Sequence, residues 1–316
     1  MDRAIEVQGV SRTFKAAGRT VRALNDVTFS VDEGEIVGLL GANGAGKTTL
    51  TKILSTLLLP TSGTARVLGV DVVLNPRKVR SSLSAVLGGE RGLYGQLTAR
   101  ENLRFFGMID GLTHRTLRAR VDLALEQVGL AEASDRKVSS FSRGMRQRLH
   151  IAIGMISRPR VLLLDEPTVG LDPAEARRLR DAIAGLREQG VCVLLTSHYL
   201  LDVEQLADRV VMLERGCVTH EMTVGQFTAS VGYAAEIMIR GAGAAPDTAG
   251  LHATGEVVAN IDPAAEGWMV TLRLRSWSAS VFFELGQLLN GVRVTEVEVN
   301  PARLEDAFMR LQSEAR

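Results

Sequence analysis

The run Gly41-Ala42-Asn43-Gly44-Ala45-Gly46-Lys47-Thr48 carries the strongest chemical signal in this sequence. Glycines let a backbone fold tightly around a phosphate, so that several N–H groups and the positive end of a following helix point at its oxygens. In this P-loop pattern Lys47 brings a point charge to the β and γ phosphates of a nucleotide, the Thr48 hydroxyl is placed to ligate magnesium, and Thr49 follows inside the helix. The second half of such a site is an acid at the end of another apolar strand. Val161-Leu162-Leu163-Leu164-Asp165 supplies it: Asp165 holds magnesium through water, and Glu166 next to it orients and deprotonates the attacking water. Asp165-Glu166 alone reads as well as a solvated turn; joined to the glycine loop, the pair is specific. Asp172, six residues on, has a plain reading as a helix N-cap before Pro173.

These groups need a scaffold of alternating strands and helices, and the first two thirds of the chain has that pattern. The fold class is α/β, with a largely parallel sheet covered by helices. Residues 35–40 read as a buried strand feeding the glycine loop. Leu50, Ile53, Leu54, Leu57 and Leu58 then recur on one helical face, with Pro60 ending the helix. Leu179, Ile183 and Leu186 form the apolar face of a helix closed by Gly190; residues 191–196 and 209–213 are further strands, the latter running into a turn at Glu214-Arg215-Gly216. Residues of about 93–158 read as a helical subdomain without strong strand candidates. Beyond about residue 220 the pattern changes again. Alternating segments at 236–240, 268–275 and 292–299, a small-residue loop at 241–250 and helices at 278–289 and 301–311 predict a second, smaller α/β domain over 221–316, after a first of 1–220.

Composition bounds the function. With 46% apolar and 23% charged residues in 316, the chain can bury more than one ordinary core. Lys and Arg total 37 against 36 Asp and Glu, a net charge of +1, and aromatics make up only 4%, so no polyanion-binding or base-stacking surface is expected. No apolar stretch approaches the roughly 18 residues that span a bilayer. Residues 1–6 carry charges without an apolar core, which predicts no secretory signal, and two cysteines make no disulfide framework; Cys192 and Cys217 read as reduced cytosolic thiols.

Over roughly residues 3–220 the ordered motifs resemble the nucleotide-binding subunit of an ATP-binding cassette (ABC) transporter. Phe14 lies upstream of the glycine loop where the family places an aromatic that stacks on adenine, with a core phenylalanine as the lesser alternative. Phe141-Ser142-Arg143-Gly144-Met145-Arg146-Gln147-Arg148 resembles the family signature, which faces the γ-phosphate of ATP held by the other subunit. Val169-Gly170-Leu171-Asp172 resembles the loop that crosses between subunits. His198 matches the histidine that contacts the γ-phosphate; a lone histidine would more often be structural, but its position after Thr196-Ser197 reverses that reading. Two positions depart from the pattern. Arg143 stands where the family has glycine, and either brings charge to a phosphate or points to solvent. Gly89 stands where the family carries a glutamine that links magnesium to the transporter; adjacent Glu90 substitutes as a ligand, or the segment is a turn without one. Asn300-Pro301-Ala302-Arg303-Leu304-Glu305-Asp306-Ala307-Phe308 and the Ser142-Arg143-Gly144-Met145 form of the signature resemble the type 2 exporters of drugs, polysaccharides and lipid-linked cargo.

The resemblance implies a P-loop cassette with a helical subdomain and a small C-terminal α/β domain. It implies ATP and Mg2+ as ligands: Gly41, Asn43, Gly44, Ala45, Gly46, Lys47, Thr48 and Thr49 hold one face of the nucleotide, and Ser142, Arg143 and Gly144 of a second copy or cassette partner hold the other. Glu166, His198 and Lys47 are the catalytic set; Thr48, Asp165 and Glu90 serve the metal. A separate transmembrane permease is the implied partner, with the chain peripheral at the inner face of the cell membrane and no nucleic acid bound. Two rivals stand beside this reading: a soluble cassette ATPase acting on ribosomes or DNA, disfavoured by a single P-loop and no heptad run, and a weakly hydrolysing regulatory subunit, prompted by Gly89 and Arg143.

Overall fold

A computed structural model describes residues 3–16, 19–87, 92–197, 199–244, 246, 255–260, 267–276 and 279–314. The chain divides into two compact units, Met1–Val224 and Gly225–Arg316. Along the first run β1 (Arg3–Ala16), β2 (Arg19–Asp32), β3 (Ile36–Leu40), α1 (Lys47–Leu54), β4 (Ser62–Val67), β5 (Val70–Asp71), α2 (Pro76–Arg80) and β6 (Leu83–Val86). They are followed by α3 (Ala99–Ile109), α4 (His114–Gln127), α5 (Arg143–Met155), β7 (Val161–Asp165), α6 (Pro173–Glu188), β8 (Cys192–Thr196), α7 (Leu200–Leu206), β9 (Arg209–Glu214) and β10 (Cys217–Thr223).

The central sheet has the order β10-β9-β3-β8-β7-β6; all neighbours are parallel except β10 on β9. β3 and β8 are buried at every position, because both faces of the sheet are covered, and they are apolar apart from Thr196 at the end of β8. Successive side chains point to opposite faces. Thus Ile36, Leu162, Leu164, Val193 and Leu195 enter the core under α6 and the helices α3 to α5, while Val37, Leu39, Val161, Leu163, Cys192 and Leu194 enter the core under α1. Cys192 is so desolvated that its thiol is pushed up to about 12, which keeps it protonated and inert. A second, antiparallel sheet, β2-β1-β4-β5, packs against this second core. Its strands alternate buried and exposed residues, a pattern the apolar-run reading passes over.

Helices α3, α4 and α5 pack around Leu103, Leu117, Val121 and Leu149. Thr98 and Glu101 form a reciprocal capping box at the start of α3, and Arg100 ties α3 to Asp122 of α4 and to Asp135. Helix α1 differs from the sequence expectation. It ends at Leu54, well before Pro60: Thr56 takes a left-handed conformation (φ 62°), and the N–H groups of Leu57 and Leu58 return to the Lys52 carbonyl, closing the helix by its own backbone. Leu57 is consequently exposed rather than on the buried face.

Helix α8 (Val224–Ala229) precedes β11 (Ala235–Ala242), β12 (Gly255–Asn260), β13 (Gly267–Leu274), α9 (Ala279–Leu288), β14 (Arg293–Pro301) and α10 (Leu304–Glu314). The four strands form an antiparallel sheet, β12-β13-β11-β14, with Ile237, Ile239, Trp268, Val270, Leu272 and Val281 in its core. The small-residue loop expected from residue 241 starts later, since Gly241 and Ala242 extend β11. The last helix starts at Leu304 rather than Pro301, which still pairs with Ala235 in β14.

Candidate functional site

The parallel register aligns the C-terminal ends of β3, β8 and β7: Leu39 sits opposite Thr196, and Thr196 opposite Asp165. Ligands of open α/β sheets bind at this edge. The turn from β3 into α1 curls there, with Gly44 and Gly46 at φ 81° and 111°. A Cβ on Gly46 would lie 2.5 Å from the Ala23 carbonyl oxygen, so that glycine is required by packing; a Cβ on Gly44 would meet nothing within 4 Å and project into open space. Gly46 caps α1 without any side-chain hydrogen bond, leaving the first-turn N–H groups directed outward. Lys47 folds back over the loop, its ammonium donating to the Gly41 (2.5 Å) and Ala42 (3.2 Å) carbonyls. Burial lowers its pKa below the ordinary lysine value, against the opposing pull of Glu166 and Asp165. An anion brought to this loop therefore meets a desolvated cation, whose attraction water screens little.

A cavity of about 270 Å³ is lined by Ala23, Asn43, Gly44, Ala45, Gly46, Lys47, Thr48, Thr49 and Glu166. It brings the P-loop residues and Glu166 together across the sheet. Asp165 stands one residue behind, accepting from the Thr196 hydroxyl at 2.5 Å. Glu166 has φ 52°, an uncommon conformation for a side-chain-bearing residue, and its N–H donates to the Thr196 carbonyl at 2.9 Å. Thr48 is exposed at the cavity wall. One hydroxyl and one carboxylate are the hard oxygen donors that suit magnesium carried in with phosphates, which needs no all-protein cage. Among the described residues no group of three or more His, Cys, Asp or Glu could hold a metal by itself. Gly89, Glu90 and His198 lie outside the described residues.

Phe14 and the signature residues do not line this cavity. Phe14 is 36% exposed near the end of β1, with the Arg12 guanidinium 4.6 Å from its ring centroid. Ser142 is the N-cap of α5, accepting from the Met145 N–H at 3.1 Å. Gly144 sits against Glu175, whose carboxylate pairs with Arg148 at 3.1 Å; a Cβ at 144 would reach Glu175 Oε2 at 2.6 Å. Arg143 is exposed and does not line the cavity; its guanidinium lies over Gly170 (φ 71°), in space that any side chain at 170 would need. Asp172 caps α6, accepting from the Glu175 N–H at 2.9 Å.

Several site residues escaped sequence reasoning. Ala23 reaches the cavity only because β2 folds beside the P-loop. Thr168, Ser197 and Arg180 all donate to Asp202. The available signal for Asp202 was an acid on the same face of α7 as buried Val203 and Leu206.

A family model for ABC transporters matches residues 24–169. The doxorubicin resistance ATP-binding protein DrrA of Mycobacterium tuberculosis is 42% identical over 225 residues, covering 71% of this chain and 67% of that protein. The daunorubicin resistance ATP-binding protein DrrA3 of Streptomyces coeruleorubidus is 35% identical over 316 residues, covering 100% of this chain and 98% of that one. A solved ATP-binding subunit of an ABC transporter superposes with a TM-score of 0.63 at 30% identity, over 72% of this chain and 93% of its own. The match to DrrA3 runs through both units, so the small second unit is shared with that relative and is not peculiar to this chain. With relatives of 35–42% identity matched over two thirds or more of their length and the family model matching across the P-loop and the acidic strand end, this chain belongs to the ABC transporter family, as one of its ATP-binding, ATP-hydrolysing subunits.

Proposed function

We propose that two copies of this chain, or this chain and a cassette partner, bind two ATP molecules head to tail and power a separate permease that exports drug-like or lipid-like cargo. The observation that carries the chemistry is the single cavity in which Lys47, the uncapped start of α1 and Glu166 meet. The γ-phosphate lies over Lys47 and the first-turn N–H groups. Glu166 accepts a proton from water as the water oxygen bonds to phosphorus and the bond to the bridging oxygen breaks, releasing ADP and phosphate. Thr48 and Asp165 would hold magnesium, which would supply positive charge to offset that of the phosphates. The Ser142 segment of the partner and His198 complete the contacts to the γ-phosphate, so ATP favours a closed pair and hydrolysis releases it.

Export is supported by the names of the relatives, which are drug-resistance ATP-binding proteins. Among the described residues no helix is long and apolar enough to cross a membrane, so the pathway falls to a partner, with this chain at the cytoplasmic face. Glu166→Gln tests the chemistry: ATP binding is retained while turnover falls by about 10²- to 10⁴-fold. Turnover at the unmodified rate overturns the base. Copurification of a polytopic membrane protein with the tagged chain tests the coupling, and its absence from gently solubilised membranes counts against it.

A further inference from the structure

We propose that Asp202 is a positioning residue for hydrolysis, holding the Glu166 turn in register with the end of β8; this rests on Glu166 as the base. Asp202 lies in the first turn of α7 with no exposed surface. A carboxylate only accepts hydrogen bonds, and this one takes three from three separate elements. Oδ2 accepts from the Thr168 hydroxyl, two residues beyond Glu166, and from the Ser197 hydroxyl at 2.9 Å, one residue before His198 in sequence. Oδ1 accepts from Arg180 of α6 at 2.8 Å, a guanidinium that is itself largely buried. The Ser197 oxygen is fixed in turn by the Tyr199 N–H at 3.0 Å.

The geometry gives this cluster a task beyond holding the fold. Glu166 stands at φ 52°, and a residue in a sparsely populated conformation persists only where its surroundings over-determine it. On the near side the turn is tied to β8 by the Glu166 N–H to the Thr196 carbonyl and by the Thr196 hydroxyl to Asp165. On the far side Thr168 supplies the tie, and it ends on Asp202. The same oxygen that receives Thr168 receives Ser197, so a shift of either segment is felt by the other. Asp202 touches neither the cavity nor a nucleotide; it acts through Glu166.

Replacing Asp202 strands Arg180 in the interior and risks unfolding, so the informative variant is Thr168→Val, which removes one donor at constant volume. In the full-length chain, Thr168→Val lowers kcat by about tenfold or more, the cost of misplacing a catalytic group by a fraction of an ångström. KM for ATP stays at the unmodified value, Tm falls by a few degrees as one hydrogen bond to a buried carboxylate is lost, and Thr168→Ser restores the rate. In the Glu166→Gln background, Thr168→Val lowers the residual turnover no further. An unmodified kcat in Thr168→Val overturns the proposal, as does the same fold-loss in the Glu166→Gln background or a loss of kcat matched by loss of ATP affinity. Full turnover in Glu166→Gln alone overturns the base assignment, a separate result from any of these.

Discussion

Two helices of the first unit begin at segments proposed to face phosphate, and they begin differently. Helix α1 starts from Gly46 at φ 111° with no side-chain cap, whereas α5 starts from Ser142 in extended conformation with its hydroxyl accepting from the Met145 N–H. The first four N–H groups of a helix need partners. At α1 they are left for the ligand, so the helix start is incomplete until an anion arrives. At α5 the serine already satisfies one, and what it retains is the hydroxyl proton, since a hydroxyl can accept and donate at once. The P-loop helix thus starts without a side-chain cap, while α5, proposed to meet a partner's ATP, is capped by Ser142, whose hydroxyl can still donate.

The sharpest break in this comparison is at the P-loop glycines. Gly46→Ala is expected to destabilise the fold by about 3 kcal/mol, because the added Cβ enters left-handed backbone and strikes Ala23 and Leu24; thermal melts without nucleotide measure it. Gly44→Ala costs only about 1 kcal/mol of stability, since its methyl meets nothing within 4 Å, yet at this lining position of the cavity it weakens ATP binding by about tenfold, read by titration with a fluorescent analogue. At α5, Ser142→Ala removes the cap and costs about 1 kcal/mol, whereas Ser142→Gly costs a few tenths. Equal loss of hydrolysis in both, despite their different stabilities, assigns the hydroxyl to ATP; hydrolysis that tracks stability assigns it to the helix. Smallest is Arg143→Gly, which restores the family's residue and removes the guanidinium from Gly170. It shifts stability by no more than about 0.5 kcal/mol, with turnover changed by about twofold at most.

The legible parts of this molecule were those whose signal is local. Runs such as 161–164 and 192–196 announce buried parallel strands because both faces are covered. The β1 and β2 hairpin is half exposed, and its Glu6 and Gln8 interrupt the apolar pattern that marks the central strands. The end of α1 was misjudged because Leu57 and Leu58 continue the apolar spacing; left-handed Thr56, not Pro60, terminates the helix, and threonine has no strong preference that would reveal it. Asp202 was illegible as a site residue for another reason: its donors lie 34, 22 and 5 residues away, on three elements. Arg143 reads as phosphate ligand or solvated charge; it is exposed, and its place over Gly170 is set by the fold and not by local spacing.

By itself the sequence determined the kind of chemistry, because a phosphate-cradling turn and an acidic strand end depend on residue types at short, fixed spacing. It also carried the α/β alternation and the division into a larger and a smaller unit as patterns of hydrophobic period. Only the tertiary structure decided that Lys47 and Glu166 line one cavity, that Thr196 fastens Asp165, and that a buried aspartate on α7 accepts from Thr168, two residues beyond Glu166. The reason is topological. In the order β3-β8-β7 the strand that carries the P-loop meets β8, about 150 residues further along the chain, so the register between them, and with it the distance between the groups they carry, is set by long-range pairing that no local spacing records.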